Sequence, residues 1–186
     1  HGIAGGREKE GQAYMARLLK ELGATVTVRQ MDEADIETAL ARYREGNPGH
    51  NYDGRENVYG FFRGGGGRSL MFNGHIDTMP PGDVSLWKHP PLSAEVEGGR
   101  LYGSGAADMK SGLMAAVMAV KLIKDAGMAL PGDVVISSVA DEEGGGNGSI
   151  AAAVQGLKAD GVVVCEPSDG GPIMAHMGVV FFRVQV

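Results

Sequence analysis

Apolar positions along this chain switch between two spacings, and the switches divide it into short elements. Across residues 7–22, Met15, Leu18, Leu19 and Leu22 fall three and four positions apart, the stripe of an amphipathic helix, and Gly23 supplies a stop. Ala24 to Val28 alternates and predicts a strand. Residues 31–46 carry a weaker helical spacing through Ile36 and Leu40, and 47–55 reads as a polar loop. Val58 to Phe62 and Ser69 to Asn73 read as two strands, and the Gly64–Gly67 turn between them predicts a hairpin. A proline-containing loop over 78–92 surrounds Trp87. Ala94–Val96 and Arg100–Tyr102 flank Gly98-Gly99, a second hairpin signal. Ser111 to Ala126 is a helix whose first half is apolar on every side (Leu113, Met114, Val117, Met118, Val120), which predicts burial. Asp133–Val139 and Gly161–Cys165 are continuous apolar runs of the buried-strand kind, with a short helix over Ser149–Leu157 between them. Alternating helices and strands predict an α/β fold: a mixed, mostly parallel sheet with helices on both faces. Residues 1–171 are expected to form one domain, and 172–186 to begin another.

Composition narrows the function classes. A formal net charge of −6 over 186 residues argues against a nucleic-acid binder working through a basic surface. Apolar runs stop well short of the ~18 residues a spanning helix needs, and the first residues lack the order of a signal peptide, so a cytoplasmic protein is expected. The one cysteine, Cys165, excludes an internal disulfide and a cysteine-only zinc site. Its apolar run predicts a core position and no nucleophilic role. Glycine, at 31 residues, runs at more than twice its usual ~7%, and its clusters at 64–67, 98–105 and 144–148 mark loops.

Three apolar runs end in residues that can bind metal. Ser69–Asn73 leads into His75 and Asp77, Val134–Val139 into Asp141-Glu142-Glu143, and Val162–Cys165 into Glu166. Ligands of open α/β sheets bind at the carboxyl ends of the strands. Asp108 stands just before the apolar helix. One histidine with several carboxylates suits a divalent ion, zinc first and cobalt or manganese next. His75 and Asp77 share a side in an extended segment, so Asp77 can orient the imidazole. Glu142 and Glu143, adjacent in an extended segment, point to opposite sides, one to metal and the other to substrate. A carboxylate crowded by its like is raised in pKa and suits a general base. Each residue alone has an ordinary structural explanation, as a cap or solvated acid; their convergence on one sheet edge favours a site. Gly103-Ser104-Gly105 imitates a dinucleotide fingerprint without its context. Asn147-Gly148-Ser149 is read as a turn and helix cap, and His1, His50 and His89 as surface residues.

Gly74-His75-Ile76-Asp77-Thr78, Pro80-Pro81-Gly82-Asp83 with Trp87, Leu101 through Lys110, Asp141-Glu142-Glu143 and Glu166-Pro167-Ser168 together resemble the di-zinc aminoacylase and carboxypeptidase family, acetylornithine deacetylases and succinyl-diaminopimelate desuccinylases in appearance most of all. The resemblance implies that His75 and Glu166 hold one zinc, that Asp108 bridges two zincs, and that Glu143 holds the second. It implies that Glu142 is the general base, that Asp77 orients His75, and that the Asp108-Met109 peptide is cis. It implies a deacylase acting on an N-acyl amino acid, with a dipeptide or a glutamate-type peptide as the alternative substrate. A metal-binding scaffold without catalysis is the reading from another class, disfavoured by the retained Glu142. Ser104 stands where relatives often carry arginine. The family chain is about twice as long, so 172–186 is expected to open a lid and dimerisation domain. A homodimer and a final zinc-binding histidine beyond Val186 are further implications.

Overall fold

The computed structural model describes residues 6–168 and 170–175. The elements run α1 (Lys9–Glu21), β1 (Thr25–Gln30), α2 (Glu33–Tyr43), β2 (Glu56–Phe62), β3 (Gly67–His75), β4 (Glu95–Glu97), β5 (Arg100–Tyr102), α3 (Ser111–Asp125), β6 (Gly132–Val139), α4 (Asn147–Val154) and β7 (Gly161–Val164). Five strands form one sheet in the order β1-β2-β6-β3-β7. β3 pairs in parallel with β6 and β7, and β2 is antiparallel to both β6 and β1. Only β2 therefore opposes the common strand direction, and the sheet is mixed and mostly parallel. The Gly98-Gly99 hairpin forms as the sequence predicts, with Val96 opposite Leu101.

Alternation along the strands assigns the helices to faces. Val58 and Phe62 of β2 pack with Met15 and Leu19 of α1, Val117 of α3 and Ile136 of β6 in the main core. The neighbouring β2 residue Asn57 points the other way and donates to the Gly148 carbonyl of α4 at 2.8 Å. On that second face Ile36 of α2 and Ala151 of α4 pack with Met31 and Tyr52. Helices thus cover both faces. α3 buries Leu113, Ala116, Val117 and Val120, whereas Met118 is 43% exposed, so its apolar first half is covered on one side only.

Two strand expectations are corrected. β2 and β3 do not form a hairpin, because β6 lies between them. Its run of buried residues belongs at the centre of the sheet. The 64–67 turn instead packs against the entry to β6. Gly65 and Gly67 donate to the carbonyls of Leu130 and Pro131, both at 2.9 Å. A Cβ on Gly64 would stand 2.1 Å from the Gly132 carbonyl oxygen, so this contact requires glycine. The second correction concerns β7, read as buried. It is an edge strand, with Val162 50%, Val163 44% and Val164 59% exposed. An apolar groove of about 830 Å³ runs between it and α3. Residues 176–186, most of the stretch expected to begin a second domain, lie outside the described residues.

Candidate metal centre

Four segments deliver the six residues singled out in the sequence to one rim of the sheet. His75 is the last residue of β3 and is fully buried. Its Nε2 lies 3.0 Å from Asp108 Oδ1, 3.6 Å from Glu166 Oε1 and 3.7 Å from Glu142 Oε2. Asp108 arrives on an extended residue (φ −112°, ψ 100°) just before α3, and the Asp108-Met109 peptide is cis. Glu166 follows β7, whose path is fixed when the Cys165 amide donates to the Asn73 carbonyl at 2.9 Å. α3 passes that backbone at Gly112, where a Cβ would meet the Cys165 carbonyl oxygen at 2.0 Å, so this close approach of helix and strand end requires glycine.

Glu142 and Glu143 follow β6 on a turn, not on an extended segment. Asp141 has φ +58°, and the Glu142 carbonyl accepts from Gly145 at 2.9 Å and Gly146 at 2.7 Å. Both carboxylates consequently reach the cluster, where the extended geometry would have separated them. Donor atoms of His75, Glu142 and Glu166 lie within 4.8 Å of one another, and so do those of His75, Asp108 and Glu143. Asp77 serves the arrangement twice. Its carbonyl oxygen stands 3.0 Å from His75 Nδ1, with its carboxylate at 3.4 Å, which directs Nε2 to the cluster. Its carboxylate also accepts from the amides of Glu142 at 3.3 Å and Glu143 at 3.1 Å.

Crowded acids shift the titration of the whole cluster. Burial raises Glu142, and Asp77, Glu143 and Asp108 add to it against the pull of His75. Glu166 is pushed up to about 7 by burial and by Glu142 and Asp108. Burial opposes a charge on His75, yet Asp77, Glu142 and Glu166 carry it up to about 9. For Asp77 burial acts upward, but His75 and the two amides win and hold it below the usual carboxylate range. These donors fit a divalent cation of the zinc type: one imidazole nitrogen and several carboxylate oxygens converge where negative charge is in excess.

Sequence reasoning missed the residues behind the rim. Asp141, the first acid of the triplet, is buried in a network with Arg55, His50 and Asn147 rather than in the cluster. His50 is therefore a working partner and not a loose surface residue. His89 likewise stacks on Tyr102 and pairs with Glu95 at 2.7 Å, while His1 lies outside the described residues. Asn147 caps no helix, since Gly146 holds that position. Lys110 was legible as the second residue after Asp108; burial lowers it, and Asp77, Glu143 and Asp108 oppose that shift. Cys165 is partly buried, and burial pushes its thiol up to about 11, which suits no nucleophile.

The sequence model of peptidase family M20/M25/M40 matches residues 71–179. The N-formyl-4-amino-5-aminomethyl-2-methylpyrimidine deformylase of Bacillus subtilis (strain 168) is 35% identical over 167 residues, which is 88% of this chain and 34% of that protein. Among solved structures, an M20 family metallo-carboxypeptidase from Sulfolobus solfataricus superposes with a TM-score of 0.63 at 25% identity, covering 83% of this chain and 31% of that one. Human carnosine dipeptidase 1 shares the fold with a TM-score of 0.61 at 22% identity, over 84% of this chain and 32% of its own. The chain spans about a third of the length of these relatives. Among the described residues, no helix is long and apolar enough to cross a membrane.

Proposed function

Since the chain belongs to peptidase family M20/M25/M40, we propose that it forms the metal-holding part of an amide hydrolase that removes the acyl group from an N-acyl amino acid or a related N-acylated amine. The observation that carries this reading is the surrounding of buried His75 Nε2 by carboxylates of Asp108, Glu166 and Glu142 at 3.0, 3.6 and 3.7 Å. The deformylase relative, whose name describes loss of an acyl group from a non-peptide amine, supports a deacylase. The carboxypeptidase likeness supports a dipeptide or peptide substrate as the second reading.

His75 and Glu166 would hold one zinc, Glu143 a second, and Asp108 would bridge the two. Bound there, the metal pair would polarise an amide carbonyl and acidify a water. The chain's own residues do the remainder. Glu142, raised by burial and by its acidic neighbours, accepts the proton of the attacking water and passes it to the departing amine nitrogen. Asp77 keeps the His75 ring turned toward the cluster and steadies the amides of Glu142 and Glu143.

Metal content of the purified protein, followed by hydrolysis of N-formyl, N-acetyl and N-succinyl amino acids beside a dipeptide panel, tests this reading. Two metals per chain and faster release from the N-acyl series are expected. Turnover that survives complete metal removal would overturn it, and a preference for dipeptides would favour the second reading.

A further inference from the structure

The turn carrying Glu142 and Glu143 is held from beneath by charged groups that take no part in the reaction described above. Asp141 is fully buried. Its Oδ1 accepts from Arg55 Nη1 at 2.8 Å, and its Oδ2 lies 2.7 Å from His50 Nδ1 and accepts from Asn147 Nδ2 at 3.0 Å. Arg55, 1% exposed, also grips the Glu8 carboxylate next to α1. Asn147 ties in the 47–52 loop as well, accepting from the Asn47 amide at 2.9 Å and donating to the Asn47 carbonyl at 2.8 Å. The left-handed backbone of Asp141, φ +58°, is one that aspartate and asparagine tolerate better than most residues. After this reversal the next two amides, those of Glu142 and Glu143, both donate to the Asp77 carboxylate. Two buried carboxylates therefore fix one short segment, Asp77 through its amides and Asp141 through its own side chain.

We propose that Asp141, clamped by Arg55 and His50, is a positioning residue that sets the backbone turn and so aims the Glu142 and Glu143 carboxylates at His75, without itself touching metal or substrate. The proposal rests on the reading of Glu142 as the base. A carboxylate displaced by ~1 Å can cost ~10²-fold in rate, so a misaligned turn acts on turnover before it acts on folding.

The test uses the intact, metal-loaded enzyme. Asp141→Asn keeps the shape and the tolerance of left-handed backbone but removes the charge that faces Arg55. Five quantities are read: folded signal by circular dichroism, metal content, kcat, KM, and the visible absorption of the cobalt-substituted protein, which reports the arrangement of donor atoms. The expected result is a folded protein with full metal content and unchanged KM, a displaced cobalt band, and a kcat lower by ~10-fold or more. His50→Gln, at the more accessible margin of the same network, should displace the band in the same direction with a smaller loss, and it replaces Asp141→Asn if that variant does not fold. Wild-type kcat with an unmoved cobalt band in the folded variant overturns the proposal. Glu142→Gln in parallel separates this result from the underlying reading: full turnover there rejects Glu142 as the base, whatever Asp141→Asn does.

Discussion

Two acidic clusters sit a few residues apart in this fold, and they treat charge in opposite ways. Behind the rim, Glu8 and Asp141 flank the Arg55 guanidinium, with His50 and Asn147 filling the remaining acceptor positions of Asp141. Each carboxylate is matched by a hydrogen bond from the one guanidinium, and Arg55, Glu8 and Asp141 are all buried. At the rim, His75 faces Asp108, Glu142 and Glu166, with Glu143 and Lys110 close by, and the acids outnumber the cations, so protons are held tightly: His75 rises to about 9 and Glu166 to about 7. A matched buried cluster holds a shape, whereas an unmatched half-open one holds a place for a cation. The same residue types thus serve as scaffold or as site according to whether the fold supplies an arginine.

Four measurements break or sharpen that contrast. Stripping the metal should take the largest toll, abolishing amide hydrolysis while the matched cluster keeps the chain folded; a chelated protein that unfolds outright would show that the rim, too, is scaffold. Arg55→Met should act on the other side of the contrast. It leaves Glu8 and Asp141 buried without their cation, and denaturant titration should find a loss of about 3–5 kcal/mol. Glu142→Gln should leave both metals in place and lower turnover by at least ~10², with Glu143→Gln losing metal instead. If metal analysis gave the reverse pattern, the two roles would exchange. The smallest effect is in pH. His75 binds its proton more tightly in the folded protein, so its contribution is complete below 6.5 and is lost as pH rises through about 9. Glu166, raised from 4.5 to about 7, acts in the same direction. The melting temperature of metal-free protein should therefore fall from about pH 4.5 to about 9, the Glu166 part being lost through about 7 and the His75 part through about 9, and that of metal-loaded protein, whose cation displaces these protons, should not follow it.

The rim was legible in the sequence because His75, the Asp141–Glu143 triplet and Glu166 each stand directly after an apolar run, and the strand end places such residues without further information. Asp108 needed only the apolar helix that follows it. The matched cluster gave no such signal. Arg55 precedes β2 in a polar stretch, Glu8 precedes α1, and His50 sits in a loop; only the packing of three distant segments brings them to Asp141. Strand identity was readable from residue type, but beyond the Gly98-Gly99 hairpin strand neighbours were not. The Gly64–Gly67 turn looks like a hairpin turn, and nothing local announces that its glycines serve close contact with Pro131 and Gly132. Burial of β7 failed for the same reason: valine runs describe what a strand can tolerate, while its place at the edge is decided by its neighbours.

The insertion of β6 between β2 and β3 also dictates the order of assembly. The strands β2 and β3 cannot zip together, since the facing edge of each must wait for β6, which begins only at Gly132. Closing that long loop comes before the sheet gains its middle, which makes folding slow relative to a chain of local hairpins. During that interval the facing edges of β2 and β3 stay open to pairing with other chains.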